Sequence, residues 1–240
     1  MLSGPPVTAA ATPEALLDRF CSASPRQRRT LLAQLEREAE ALRPLIADRL
    51  AACDATGDDW AAGSLIQLLI SDEGPFQKAH GAAYPEGWLA TPSACAIDYA
   101  PLQRELALQH FETADRLTSA LLRQLAGEAA VRRGYVYYSE VPPMPAADLE
   151  TLDRLWICYS RGRFGFSVQG RLLAACNGRW ELLWPKLGWK NGSQWTRYPG
   201  SFDWRIDAPE GHMPLVNQLR GVRLMDALLR HPAVQQRIHR

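Results

Sequence analysis

The sequence predicts an all-α protein, and three observations favour that class. Apolar residues recur at helical spacing in most segments of the chain. Strand-like and helix-like segments do not alternate, as they would in an α/β fold. The 240 residues are 47% hydrophobic and 22% charged, which is an ordinary composition for a globular protein with a buried core.

Helical periodicity runs from residue 13 to residue 70 and is interrupted only by short connections. Pro13 suits the first turn of a helix, and the acidic pair Asp58 and Asp59 precedes a fourth apolar run. Amphipathic helices joined by short connections pack antiparallel. We therefore expect an N-terminal antiparallel helical bundle, similar to a helical-repeat unit, over residues 1–90.

Residues 71–97 break this pattern, because glycine and proline are frequent there and periodic apolar residues are few. Such a composition is typical of a linker, and we place the domain boundary between Pro85 and Ala96. The expected second unit is a core domain over residues 91–240.

The core domain begins with two amphipathic helices around Leu102 and Leu117, and Gly127 ends the second. A long connection over residues 127–147 follows. Its alternating tyrosines and valine resemble a strand, but a lone strand would have no partner. A connection of this length in a compact domain is usually functional or mobile.

The next two predicted helices flank the turn SRGRFG. Asp148 is expected to cap the first helix, which would bury Trp156 and Tyr159 on one face. Gly162 and Gly165 allow the chain to reverse tightly before the second helix. These aromatic residues are therefore predicted to be scaffold and not a ligand-binding loop.

The last part of the chain combines an irregular segment with a helix. Residues 180–212 lack periodicity and are rich in tryptophan. Residues 214–230 then predict a strongly amphipathic helix with a leucine-rich core face.

The charge distribution and the cysteines indicate which ligands and which compartment the sequence favours. Residues 1–97 hold 8 basic against 12 acidic residues, and residues 98–240 hold 19 against 14, so the second half is mildly basic. Such an excess favours an anionic ligand but is too small to indicate nucleic acid. The five scattered cysteines argue against disulfides and a zinc site. With no secretory signal and no long apolar run, we expect a cytoplasmic protein.

No pattern in the sequence favours catalysis. The motifs GxSxG, HExxH and the P-loop are absent, and GRFGFS lacks the lysine that a P-loop requires. The acidic residues Asp148, Glu150 and Asp153 are expected to interact with a helix dipole. Only His212 lies in an aromatic-rich segment, so it is kept as a minor candidate for a functional histidine.

A binding function is favoured by the C-terminal third of the chain. Residues 189–213 combine aromatic rings with glycine and proline, which suits a loop that closes over a flat apolar ligand. Asn217, Arg220 and Arg223 follow at helical spacing, and two guanidinium groups would suit a ligand with two carboxylates. Alternatively, these arginines are surface residues or pair with nearby acidic side chains, Glu210 among them.

Nucleic acid is the rival ligand for a surface of arginines and aromatic rings. It would require a continuous basic track, and this segment is interrupted by acidic residues such as Glu181, Asp203 and Asp207. We therefore expect no binding to nucleic acid.

Four segments of the core domain resemble one known family. They read LDRLWICYSRGRFGFSVQGRLL, GRWELLWPKLGWK, WTRYPGSFDW and GHMPLVNQLRGVRLMDALL. Together they are similar to the genomes-uncoupled-four family of tetrapyrrole-binding proteins, over about residues 98–235. The resemblance implies a non-catalytic protein that binds protoporphyrin IX or magnesium protoporphyrin IX. It also implies that the protein stimulates magnesium chelatase in chlorophyll biosynthesis.

The resemblance also implies where the ligand binds. Members of the family are all-helical, with two long loops that form an apolar palm, here residues 127–147 and 189–213. Arg220 and Arg223 would hold the propionates, and Asn217 is a more natural axial partner for magnesium than His212. The implied contacts to the porphyrin ring are Tyr138, Val141, Trp195, Tyr198, Phe202, Trp204 and Met213.

The expected partners follow from the same resemblance. They are the porphyrin and the large porphyrin-binding subunit of magnesium chelatase. The chain itself is expected to be a monomer that carries no metal of its own. The helical N-terminal half and the absence of a transit peptide indicate the cyanobacterial type, with some of the protein on thylakoids. Shielding the pigment from photo-oxidation would be a second benefit. The alternative is a helical scaffold that acts only through protein contacts.

Overall fold

The computed structural model describes residues 12–215 and 222–239, and this part of the chain confirms the all-α class. It contains thirteen α-helices, one 3-10 turn (Tyr138–Glu140) and one antiparallel hairpin of two short strands, β1 (Lys190–Asn191) and β2 (Gln194–Trp195). The helices are α1 (Pro13–Ser22), α2 (Pro25–Arg37), α3 (Ala39–Ala51), α4 (Trp60–Ile70), α5 (Pro75–Ala83), α6 (Ala100–Ala107), α7 (Phe111–Leu125), α8 (Glu128–Arg133), α9 (Ala146–Tyr159), α10 (Phe166–Ala175), α11 (Trp180–Lys186), α12 (Arg223–Arg230) and α13 (Pro232–Ile238).

The N-terminal helices begin where local signals predict. Proline occupies the first turn of α1 and α2, where a missing N–H costs nothing. Ser24 and Gln27 cap α2 reciprocally, since the Gln27 side chain accepts the Ser24 N–H at 3.0 Å. Asp59 caps α4 by accepting the Ala61 N–H at 3.0 Å. The expected helix starts at Pro13 and after Asp59 are therefore confirmed.

Helix α4 joins the N-terminal helices to α9. Most of its residues are buried, and Gly63 approaches α9 so closely that a Cβ there would lie 2.1 Å from the carbonyl oxygen of Cys158. The Gln67 side chain donates a hydrogen bond of 2.7 Å to the carbonyl oxygen of Tyr159. Helices of the two predicted domains therefore meet across α4 and α9, and not only through the linker.

Two buried arginines strengthen this junction. Arg154 of α9 donates to the carbonyl oxygens of Ala55, Gly57 and Ala90 at 2.9–3.1 Å. Arg237 of α13 pairs with Asp153 of α9 at 2.6 Å and with Asp58 before α4 at 2.5 Å. Each guanidinium thus satisfies polar groups from distant parts of the sequence.

Asp148 differs from its expected role. Helix α9 begins two residues earlier, so Asp148 lies in its first turn and Pro145 occupies the cap position. The Asp148 carboxylate is fully buried and accepts hydrogen bonds from the Ala94 N–H at 3.0 Å and the Tyr99 hydroxyl at 2.9 Å. It therefore anchors the segment before α6, a tertiary role that spacing alone does not reveal.

The segments expected to be irregular contain short elements. Helix α5 lies within the predicted linker, α8 and the 3-10 turn lie within residues 127–147, and α11 and the hairpin lie within residues 180–212. Elements this short hold too few turns to show a period. The last helix was expected from Pro214, but α12 begins at Arg223, and residues 216–221 lie outside the described part of the chain.

The turn between α9 and α10 is confirmed as a tight reversal, with positive φ at Gly162 and Gly165. Trp156, Tyr159 and Phe164 are buried, as expected for scaffold. Within the described ranges, no helix is both long and apolar enough to cross a membrane.

Candidate functional site

The first predicted palm segment contains a compact structure that we call the tyrosine loop (residues 134–141). Arg133 donates to the Glu140 carboxylate at 2.6 Å, and its guanidinium carbon lies 4.1 Å from the centre of the Tyr137 ring. Glu140 also accepts the Tyr137 N–H at 2.7 Å. This backbone hydrogen bond, assisted by Arg133, lowers the pKa of Glu140 below its usual range. The loop is therefore fixed by a charged clamp at its base.

The tyrosine loop presents Tyr138 to solvent. Its side chain is 49% exposed, and the guanidinium carbon of Arg223 lies 5.5 Å from its ring centre. Within the described residues, Asp226 pairs with Arg230 at 2.9 Å and Arg223 forms no ion pair. Val141 is fully buried, so it supports the loop from below. The guanidinium of Arg223, at the start of α12, thus lies over the ring of an exposed tyrosine.

Four tryptophans form a second feature, the tryptophan stack (Trp180, Trp184, Trp189 and Trp195). The centre of the Trp184 ring lies 5.2 Å from that of Trp180, 5.8 Å from Trp189 and 5.6 Å from Trp195. Trp189 is buried, and its indole N–H donates to the His212 carbonyl oxygen at 2.8 Å. Trp195 on β2 is 45% exposed. The stack therefore holds the hairpin against α11 and leaves one indole open.

The third feature is the aromatic cluster (Tyr198, Phe202 and Trp204). Its three rings contact one another with centres 5.5–5.8 Å apart. Phe202 is buried, Trp204 is partly buried and Tyr198 is 41% exposed. The cluster thus offers the Tyr198 ring to solvent on a rigid apolar base.

His212 supports this loop and offers no lone pair to a ligand. The ring is buried, with Nδ1 2.5 Å from the Leu187 carbonyl oxygen and Nε2 3.3 Å from the Asp203 N–H. Burial lowers the pKa of His212, so the ring is neutral, with Nδ1–H donating and Nε2 accepting. His212 therefore has a role within the fold, because both of its ring nitrogens are engaged there.

The turn after α9 anchors the end of the second palm segment. The Gly165 N–H donates to the Met213 carbonyl oxygen at 3.0 Å, and Arg163 donates to the Ala208 carbonyl oxygen at 2.6 Å. The Gln169 amide donates to the carbonyl oxygens of Gly211 and Pro214 at 3.0 and 2.8 Å. The conspicuous stretch LWICYSRGRFGFSVQGR thus positions the loop without offering its own aromatic rings.

Asp115 lies near the candidate site, although the sequence did not predict a role for it. It lies in α7, is 1% exposed, and accepts the Leu215 N–H at 2.6 Å. Burial raises its pKa to about 7, against the opposing effects of this hydrogen bond and of Tyr198. Nothing in the sequence singles it out, because its partners lie far along the chain.

The predicted site residues thus fall into separate groups. Tyr138 lies with Arg223, and Tyr198, Phe202 and Trp204 lie together, while Trp195 belongs to the tryptophan stack. Val141 and Met213 are buried and present no surface. Asn217 and Arg220 lie outside the described residues.

Comparison with known proteins finds a family match in the C-terminal part of the chain. A family model described as GUN4-like matches residues 92–232. The Ycf53-like protein of Synechocystis sp. is 51% identical over 153 residues, which are 64% of this chain and 66% of that protein. The tetrapyrrole-binding protein, chloroplastic, of Arabidopsis thaliana is 39% identical over 55% of this chain and 53% of its own length. The structure of GUN4 from Chlamydomonas reinhardtii is similar with a TM-score of 0.57 and 39% identity, over 60% of this chain and 95% of that one.

Proposed function

The chain belongs to the GUN4-like family, of the cyanobacterial type, and from that premise we propose that it binds a tetrapyrrole. The ligand we propose is protoporphyrin IX or its magnesium complex. Binding of this class is supported by the Arabidopsis relative, whose name describes a tetrapyrrole-binding protein.

The observation that carries the proposal is the pairing of Tyr138 with Arg223. A porphyrin has a broad apolar face and two propionates, so it needs exposed rings beside free cations. Tyr138, Trp195 and Tyr198 are large rings left open on otherwise well-packed loops. Arg223 is exposed and, within the described ranges, free of carboxylate partners. The residues present therefore fit such a ligand.

Each group has a distinct role in this proposal. The aromatic faces bind the macrocycle and remove apolar surface from water. Arg223, with Arg220, holds the propionates and fixes which edge of the ring enters first. The Arg133–Glu140 clamp keeps Tyr138 in place before the ligand arrives, which reduces the entropy lost on binding. The porphyrin is cargo in this scheme, and its metal chemistry belongs to another protein.

The finer function is proposed from the family alone. The protein would deliver the porphyrin to, or receive it from, the large porphyrin-binding subunit of magnesium chelatase and thereby stimulate chlorophyll biosynthesis. It would act as a non-catalytic monomer in the cytoplasm, partly at thylakoids, and would limit photo-oxidation by the pigment. A chelatase assay with and without the protein tests stimulation, and stimulation that needs no bound pigment would favour the scaffold alternative.

Replacing Arg223 by alanine is expected to weaken porphyrin binding about tenfold, because one charge-assisted contact to a propionate is lost. Titration with protoporphyrin IX, followed by tryptophan quenching and the Soret band, measures the effect. Arg230→Ala is the matched control, since Arg230 is on the same helix but pairs with Asp226. If Arg223→Ala and Arg230→Ala bind protoporphyrin IX with equal affinity, Arg223 does not contact the ligand.

A further inference from the structure

A cavity of about 190 Å³ lies between α4, α5 and α6, where helices of the two predicted domains meet. Part of its wall is apolar and comes from the buried side chains of Ile66, Ile70 and Trp88. A cavity of roughly 150 Å³ holds one benzene molecule. The space therefore suits a ligand with a single aromatic ring and is too small for a tetrapyrrole.

The polar part of the wall is fixed by Gln103 of α6. Its Oε1 accepts the Tyr159 hydroxyl and the Leu89 N–H, both at 2.7 Å. Its Nε2 donates to the carbonyl oxygens of Leu89 at 3.1 Å and Glu86 at 3.2 Å. Gly87 packs so closely on Gln103 that a Cβ there would lie 2.2 Å from the amide. This side of the cavity is therefore preformed, and its amide is already satisfied.

Helix α5 also lines the cavity, although none of its residues is buried. The lining residues from α5 and its C-cap share one helical face, at the spacing i, i+3, i+4 and i+7: Gln77, His80, Gly81 and Tyr84. A surface helix normally turns an apolar stripe toward the core. The corresponding stripe of α5 begins with an amide, an imidazole and a glycine, so it faces the cavity with polar groups.

These polar groups have no protein partner in the part of the chain that the structure describes. The side chains of Gln77, His80 and Arg104 form no hydrogen bond or ion pair with a described residue. The His80 ring packs against Tyr84, with centres 5.0 Å apart, and burial lowers the pKa of His80. The neutral imidazole offers one donor and one acceptor.

The charge of the lining favours an anion. Arg104 of α6 is exposed, so it lies where the cavity opens to solvent. Of the described residues that line the cavity, Arg104 is the only one with a fixed charge, and none is an aspartate or a glutamate. Guanidinium groups bind carboxylates through paired, charge-assisted hydrogen bonds.

We propose that this cavity binds a small carboxylate that carries one aromatic ring. The ring lies against Trp88 and Tyr84, and the carboxylate pairs with Arg104 at the opening. Gln77 and His80 donate to or accept from the polar atoms of the ligand. A pocket with apolar walls and a few convergent polar groups is the usual form of a small-molecule site.

This site is separate from the one proposed for the tetrapyrrole. Tyr138, Trp195, Tyr198 and Arg223 do not line the cavity, so the inference does not rest on the proposed function. Helix α5 lies in the segment predicted to link the two domains. A ligand held between α4, α5 and α6 would therefore stabilise the junction of the domains.

The test is isothermal titration calorimetry of the full chain with benzoate and with phenylacetate. Benzyl alcohol, which lacks the charge, and acetate, which lacks the ring, are the matched control ligands. We expect saturable binding of an aromatic carboxylate with a Kd of about 1 mM or lower. The two control ligands should bind about tenfold more weakly, because each lacks one of the two interactions.

Two variants locate the binding. Arg104→Gln should weaken carboxylate binding about tenfold and leave benzyl alcohol unaffected. Its control is Arg29→Gln, since Arg29 is an exposed arginine of α2 that does not line the cavity. Gly81→Phe places a ring in the cavity, from a position with no atom within 4 Å of its Cβ, and should abolish binding.

Three results would overturn the proposal. They are no saturable binding of either carboxylate at concentrations up to about 10 mM, wild-type carboxylate affinity in Arg104→Gln, and wild-type affinity in Gly81→Phe. Circular dichroism establishes that the variants fold, and if Gly81→Phe does not, Arg104→Gln decides the question. Protoporphyrin IX titrations of Arg104→Gln should match the wild type. A chain that binds the carboxylates but no porphyrin would refute the proposed function alone.

Discussion

An Arg237→Met variant is expected to lose about 3–5 kcal/mol of the free energy of unfolding, because it breaks a buried ion pair from one side. The Arg237 side chain is 3% exposed and its partner Asp153 is fully buried. Methionine keeps much of the apolar stem but leaves the Asp153 carboxylate buried, with the Ser167 N–H at 2.9 Å as its one remaining donor among the described residues. Urea denaturation followed by circular dichroism measures the loss.

The matched control for this variant is Arg230→Met. Arg230 also pairs with an aspartate, Asp226, but its side chain is 78% exposed, so the change should stay within about 0.5 kcal/mol. Adding Asp153→Asn to Arg237→Met removes the unpaired charge and should recover part of the stability. Similar losses for the two arginine variants would show that the pair at α13 does not stabilise the fold through its burial.

A Gly63→Ala variant is expected to destabilise the protein by about 3 kcal/mol or more, at the upper end of overpacking effects. The added Cβ would lie 2.1 Å from the carbonyl oxygen of Cys158, and a backbone atom cannot move aside without separating α4 from α9. Thermal and urea unfolding measure the change.

Gly81→Ala is the control for Gly63→Ala, because Gly81 is also within a helix but has no atom near its Cβ position. That substitution should leave stability unchanged or raise it by about 0.5–1 kcal/mol, through a lower entropy of the unfolded chain. If both variants were equally stable, α4 would not pack against α9 as closely at Gly63 as the structure shows.

The fold class and most helix starts were predictable because their signals are local. A proline in the first turn, a capping side chain and an apolar stripe are all read within a few residues. Gly162 and Gly165 likewise allow the positive φ that this tight turn requires. The short elements α5 and α8 escaped prediction, since too few turns are present to display a period.

The roles of buried polar residues were not predictable in the same way. Asp148 and Asp153 follow the pattern of an acidic helix start, yet both are buried and hold distant segments. Asp115 sits in an ordinary amphipathic helix, and its partner Leu215 is 100 residues away. Such contacts depend on how the helices assemble, and spacing along one helix contains no information about them.

The candidate site lies between these two cases. Composition and helical spacing made its aromatic segment and its arginines candidates, and the family resemblance added the individual ring contacts, Tyr138 and Val141 among them. The structure adds which rings are open: Tyr138, Trp195 and Tyr198 are exposed, whereas Val141 and Met213 are buried. Exposure could not be read from the sequence, because all five lie in segments without the periodicity that would indicate a buried face.

The tryptophan stack gives the protein an optical property. The ring centres of Trp180, Trp189 and Trp195 lie 5.2–5.8 Å from that of Trp184, so we expect excitation to migrate among the four indoles before emission. A chromophore bound against Trp195 would then quench the fluorescence of all four indoles. Trp60, Trp88, Trp156 and Trp204 lie outside the stack, and the first three of these are buried, so their emission would report on the packing of the scaffold.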